Sequence, residues 1–154
     1  MKTRVLVLEN IRSVENTASI FRTADRFGAS KIILVGTTPA PVDRFGRVRK
    51  DFVKVSLGAE KRVPWEYAKA IAPVLKKLKT KKFQIIALEQ NPRAKQLKDF
   101  VSEKNFALIL GNEVSGVSKN TLNLVDAIVE IGTPGNSLSL NVSVAAGVAL
   151  FMLK

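Results

Sequence analysis

The chain has no cysteine and no histidine. Disulfides, thiol nucleophiles, Cys/His zinc sites and imidazole acid–base catalysis are therefore excluded together, and no metal site is expected. Acidic residues are scarce, 13 against 25 basic ones, for a formal charge of +12. Such an excess suits a polyanionic partner, although a merely basic enzyme would carry it too. Long hydrophobic runs are also missing. The N-terminal MKTRVLVLENIRS is too short in apolar character for a secretory signal, and no apolar stretch reaches membrane-spanning length free of charge, so a cytoplasmic protein without membrane contact is expected. Neither G-x-G-x-x-G after the first strand nor G-x-x-x-x-G-K-S/T is present, which removes the usual dinucleotide and P-loop readings.

What remains is an ordinary globular composition, 46% hydrophobic and 25% charged, over 154 residues. One domain over 1–154 is expected, with room for a real core. An apolar run at 5–8 reads as a strand buried on both faces, and Ser13 offers an N-cap to a helix whose inward stripe is Val14, Ala18, Phe21 and Ala24. Gly28 ends it, and KIILVG at 31–36 is the next strand. A β-α-β unit implies a parallel sheet, hence an α/β fold with a mostly parallel sheet flanked by helices.

Residues 37–62 read as a long basic loop punctuated by Pro39, Pro41, Gly46 and Gly58. Its Arg44, Arg47, Arg49, Lys50 and Lys54 suit either phosphate contacts or a solvated face. Pro64 can open a helix bearing Trp65, Ala68, Ile71, Val74 and Leu78, kinked at Pro73 and closed by lysines that also suit the helix dipole. Strands are expected at 83–88, 106–110 and 127–131, giving about five or six in all. The alanine-rich run 140–153 should be a buried helix, which could also serve an oligomer interface.

Two glycine-bearing turns, GNEVSG at 111–116 and GTPGNS at 132–137, directly follow strands. Ligands in open α/β sheets bind beyond the carboxyl ends of strands, and glycine lets backbone amides approach them; structural turns would account for either loop alone. The segment SLSLNVS at 137–143 brings polar groups into an apolar run. Ser139 or Asn141 could cap the helix, but one cap suffices and Ser143 then lacks an explanation. Asn16, Arg22 and Arg26 lie near the apolar stripe of the first helix, where they either face solvent or let an arginine fork grip a phosphate.

Taken together, ENTASIFRTADRFGASKIILVG, LILGNEVSGVS and IVEIGTPGNSLSLNVSVAAGVALF resemble the three motifs of the TrmH (SpoU) family of SPOUT methyltransferases, in order and spacing, over nearly the whole chain. KVSLGAEKRVPWEY resembles the family's middle region. The resemblance implies a SPOUT α/β knot, with the C-terminal part of the sheet threaded into a trefoil. It implies S-adenosylmethionine held largely by backbone groups at Gly111, Ile131, Gly132 and Leu140, with Leu88 nearby. It further implies methyl transfer to a ribose 2′-hydroxyl of transfer or ribosomal RNA, with Asn16, Arg22, Glu113, Ser139 and Asn141 as the characteristic polar residues. The family's homodimer would bring Arg22 to the site of the other subunit.

A guanidinium keeps its proton in proteins, so Arg22 is expected to bind substrate phosphate and stabilise alkoxide charge, not to act as the base. Arg26 and the basic residues of 44–54 are the expected RNA contacts. The third motif carries Gly132-Thr133 where the family usually has Pro-Met, which predicts a looser loop on the adenine side. Many relatives add an N-terminal RNA-binding domain, so a domain spanning 1–154 would have to bind RNA unaided or with a partner. A non-catalytic RNA-binding or ribosome-assembly protein of the same fold is the alternative.

Overall fold

In the computed structural model, which describes residues 1–102, 104–136 and 138–153, the strands form one wholly parallel sheet. In chain order the elements are β1 (Arg4–Glu9), α1 (Val14–Arg26), β2 (Lys31–Val35), α2 (Lys50–Ser56), α3 (Ala59–Arg62), β3 (Trp65–Ala68) and α4 (Ile71–Thr80). They continue with β4 (Gln84–Leu88), β5 (Lys95–Gln96), a 3₁₀ turn (Leu97–Asp99), β6 (Phe106–Leu110), α5 (Lys119–Leu122), β7 (Ala127–Glu130) and α6 (Val142–Met152). Across the sheet the order is β3-β2-β1-β6-β4-β7-β5, so the described residues form seven strands where five or six were expected. The extra ones are the two edges, too short or too polar to show as apolar runs.

Strand alternation divides the core in two. Leu6 and Leu8 of β1, Ile32 and Leu34 of β2 and Leu108 of β6 point to the face covered by α1, α2 and α6. Val5, Val7, Ile33, Val35 and Ile109 point to the other, where α4 contributes Val74, Leu75 and Leu78. Both faces being covered explains why these strands are continuously apolar, as parallel strands usually are. Phe21 of α1 meets Phe52 of α2 edge to face, ring centroids 5.2 Å apart.

Helix α1 starts where its local chemistry dictates: the Ser13 hydroxyl accepts from the Asn16 amide at 3.1 Å, and Gly28 takes a positive φ just past the end. Three expectations fail. The stretch 37–62 is not an open loop, because Phe52 and Ala59 are fully buried and anchor α2 and α3 against α1. Burial of those two side chains outweighs the turn signals of the neighbouring glycines. The helix expected from Pro64 begins only at Ile71, since 65–68 pairs with β2 as an edge strand. Proline is tolerated at the start of an edge strand, and Trp65 and Tyr67 favour the extended form once a partner strand is available. Pro73 falls in the first turn of α4, where its missing N–H removes no intrahelical bond, so it opens the helix instead of kinking it.

Helix α6 is buried on one side only. Ala146, Ala149 and Leu150 are inaccessible, whereas Val144 and Phe151 are more than half exposed. Among the described residues no helix is long and apolar enough to cross a membrane.

Candidate functional site

A parallel sheet sends all its strand-to-helix connections out of one end, and here several of them converge. The segments after β4, β6 and β7, the start of α6 and Asn16 of α1 enclose a cleft of about 670 Å³. That lies within the range of sites for small ligands and at the end of the sheet where they bind. Leu88, Gly111, Ile131 and Leu140 line it, as do Asn16, Glu113, Ser139 and Asn141. Ser137, part of the polar segment singled out above, lies outside the described residues.

The turn at 111–117 folds back on itself through paired backbone bonds between Asn112 and Gly116, 3.1 and 2.9 Å. The arms approach so closely that a Cβ on Gly111 would sit 2.3 Å from the Gly116 carbonyl carbon and the Val117 nitrogen. Only glycine fits. Asn112 Oδ1 accepts from the Val114 and Ser115 amides, and its Nδ2 donates to the Asn10 carbonyl at 2.8 Å.

Glu113 reaches from this turn to the entrance of α1. Its carboxylate accepts from the Arg12 and Ser13 amides, 2.9 Å each. Partial burial, the largest single influence, pushes this carboxyl up, but the Arg12 and Ser13 amides and the Asn16 side chain outweigh it and hold the group below its ordinary value. Asn16 Oδ1 in turn accepts from Asn141 Nδ2 at 3.0 Å. Asn141 caps α6, its Oδ1 accepting from the Ser143 amide at 2.9 Å and the Ser143 hydroxyl at 2.6 Å. Residues from three distant stretches thus form one hydrogen-bonded line, Glu113–Asn16–Asn141–Ser143, whose first three members line the cleft and whose last lies in the groove between α1 and α6. Ser143 has its explanation here: it completes the cap and does not stand outside it.

Three acids and an amide that sequence reasoning passed over support these walls. The Glu89 carboxylate accepts from the Val117 amide at 2.7 Å, against Gly116, where a Cβ would collide with it. Glu9, buried at the end of β1, accepts from the Ser118 amide and the Thr121 hydroxyl. Gln96 donates to Glu130 at 2.7 Å and fills the space beside Gly132. Gly132 therefore makes room for Gln96 and does not line the cleft, while Thr133 does. The signal for Glu89 was available, since the polar run 89–92 directly follows a strand just as the glycine turns do.

Arg22 is not in the cleft. With Arg26 it lines a separate groove of about 800 Å³ between α1 and α6, floored by Gly147 and Val148 and flanked by Val144, Phe151 and Met152. The basic residues of 44–54 lie elsewhere again. Residues 41–49 form a hairpin turn in which Arg47 pairs with Asp43 at 2.8 Å, and Arg49 pairs with Asp51 at 2.9 Å. Lys50 and Lys54 are exposed on α2.

Comparison with known proteins agrees with the fold. The profile of the SpoU rRNA Methylase family matches residues 3–151. A protein of Archaeoglobus fulgidus named as an uncharacterized tRNA/rRNA methyltransferase is 32% identical over 97% of this chain and 63% of its own length. The 23S rRNA (guanosine-2′-O-)-methyltransferase RlmB of Blochmanniella floridana is 34% identical over 96% of this chain and 55% of its own. The crystal structure of an AdoMet-bound rRNA methyltransferase from Sinorhizobium meliloti superposes with a TM-score of 0.85 at 26% identity, covering 97% of this chain and 55% of that one. The chain thus spans little more than half the length of several relatives it matches.

Proposed function

Because the chain belongs to the SpoU rRNA Methylase family, we propose that it transfers a methyl group from S-adenosylmethionine to a ribose 2′-hydroxyl of transfer or ribosomal RNA. The observation that carries this reading is the convergence of the strand-end turns and the Glu113–Asn16–Asn141 line on one cleft. The residues fit the cofactor: Gly111 and its neighbours bring main chain to the cleft wall with no side chain in between, and Leu88, Ile131 and Leu140 offer apolar surface to an adenine ring. When bound, S-adenosylmethionine supplies an electrophilic methyl on a sulfonium.

The chain's own residues then position the acceptor. Asn16 is held by Glu113 and Asn141, and Asn141 by Asn16 and the α6 cap, so both amides stand fixed in the cleft wall; this positioning is the larger part of the catalysis. Arg22 grips phosphate and stabilises the developing alkoxide, with the proton passing to water. Since Arg22 opens onto the α1–α6 groove and not onto its own cleft, the same reading makes the protein a homodimer in which Arg22 serves the partner's cleft. Residues 1–154 act as one unit, with the C-terminal segment threaded as a trefoil knot, and RNA is met by Arg26 and the basic face of 44–54. The work is done in the cytoplasm.

Calorimetric titration with S-adenosylmethionine, followed by transfer of labelled methyl to RNA and nuclease mapping of the product, tests this. Saturable binding and label in a nuclease-resistant 2′-O-methyl dinucleotide are expected. RNA binding without cofactor binding would favour a non-catalytic RNA-binding protein, and label on a base would overturn ribose as the acceptor.

A further inference from the structure

The turn that follows β2 is built more firmly than a spacer requires. Asp43 N–H donates to the Arg47 carbonyl at 2.8 Å and Gly46 N–H to the Asp43 carbonyl at 2.9 Å, while Val42 and Val48 form an antiparallel bridge. Asp43 Oδ1 accepts from the Phe45 and Arg47 amides, and Gly46 supplies the positive φ that closes the turn. At the tip stands Phe45, 66% exposed, a large apolar ring with no place in either core.

Two guanidiniums lie over that ring, Arg44 with its Cζ 4.8 Å and Arg47 with its Cζ 5.0 Å from the centroid. They are not equivalent. Arg47 is tied to the Asp43 carboxylate at 2.8 Å, whereas Arg44 makes no ion pair among the described residues. One cation is thus fixed beside the ring and the other is held there only by the ring itself.

The position of the turn also matters. It leaves the carboxyl end of β2, two strand spacings or roughly 10 Å from β6, whose own carboxyl end carries the Gly111 turn. Thr38 ties its base to β1, accepting from the Ile11 amide at 3.0 Å and donating to the Leu8 carbonyl at 2.8 Å.

We infer that the tip of this turn is a single-stranded RNA contact in which an unpaired base stacks on Phe45, taking the place of Arg44, whose guanidinium then moves to the adjoining phosphate. The inference rests on the RNA substrate proposed above. A base offers a π-face to the ring and a phosphate to the released cation, so both halves of the exposed assembly gain a partner. Arg47 stays as the fixed cation beside the stack. A duplex cannot supply the base, because its π-faces are already stacked.

The test uses the full chain with an end-labelled, mixed-sequence single-stranded oligoribonucleotide and the same strand annealed to its complement, titrated at several salt concentrations. Phe45→Ala is expected to weaken single-strand binding about tenfold with an unaltered salt slope and no effect on the duplex. Phe45→Leu, which keeps apolar bulk without the ring, should behave like the alanine variant. Phe45→Trp should retain affinity, with its added fluorescence quenched on binding. Arg44→Gln should lower the salt slope by about one. Undiminished single-strand binding by Phe45→Ala, or an unquenched Phe45→Trp complex, overturns the inference. Failure of the unsubstituted chain to bind either probe overturns it too, and cofactor titration then shows whether the methyltransferase reading survives.

Discussion

Gly111 and Glu113 show how much of the cleft depends on single residues. A Cβ at 111 collides with backbone, which cannot move aside as a side-chain tip can, so Gly111→Ala should destabilise the fold by about 1–3 kcal/mol. It should also weaken cofactor binding by more than its effect on folding, read by comparing melting temperature with titration of S-adenosylmethionine. For Glu113 the sign follows from its partners. The folded state lowers the carboxyl below its reference value of 4.5, so the stabilisation is complete above that value and is lost as pH falls through the folded-state one. Glu113→Gln should therefore melt below the unsubstituted protein at neutral pH, with the gap narrowing as pH drops past 4.5 and closing in stronger acid. A gap independent of pH would assign the effect to shape alone. In the sequence Glu113 was marked only through the family motif, because nothing local shows that residues about 100 positions away supply its hydrogen bonds.

Among the elements, α6 has the least settled environment within one chain. It is apolar nearly all round; Ala146, Ala149 and Leu150 are inaccessible, while Val144 stays more than half exposed and so does Phe151, although its ring meets Phe27 edge to face. A helix of that kind normally finds cover on its other side. If a second copy supplies it, Phe151→Asp should convert a dimer into a monomer in sedimentation equilibrium while the far-ultraviolet circular dichroism stays unaltered. A dimer that persists would move the interface elsewhere and leave Arg22 without a route to the second cleft. Helix α1 was readable from residues alone, since its cap and its stripe lie within its own span. The strand at 65–68 was not, because Trp65-Glu66-Tyr67 is extended only by virtue of the β2 edge it meets.

At the level of the whole molecule, the excess of basic residues and the polar cleft belong to different parts of the surface. Binding of RNA should therefore fall steeply with added salt, while binding of S-adenosylmethionine, for which main-chain and apolar contacts are proposed, should change little. Equal loss of both in parallel titrations would contradict that separation. Not all of the formal charge is available for this, since Asp43 and Asp51 each engage an arginine of the basic stretch.

By itself the sequence determined the parallel α/β class, the position of β1, α1, β2 and β6, and a basic excess that suits a polyanion; the motif residues came from the family resemblance. The class, the elements and the charge follow from periodicity, capping and composition, which act over a few residues at a time. Only the tertiary structure decided that Asn16, Glu113 and Asn141 form one line, that Gly132 serves Gln96, that 50–56 and 59–62 are helical and that Arg22 lines a groove separate from its own cleft. Each of these depends on which distant segment supplies a missing hydrogen-bond partner or covers an apolar face. Sheet order sets that, and local pattern does not carry it.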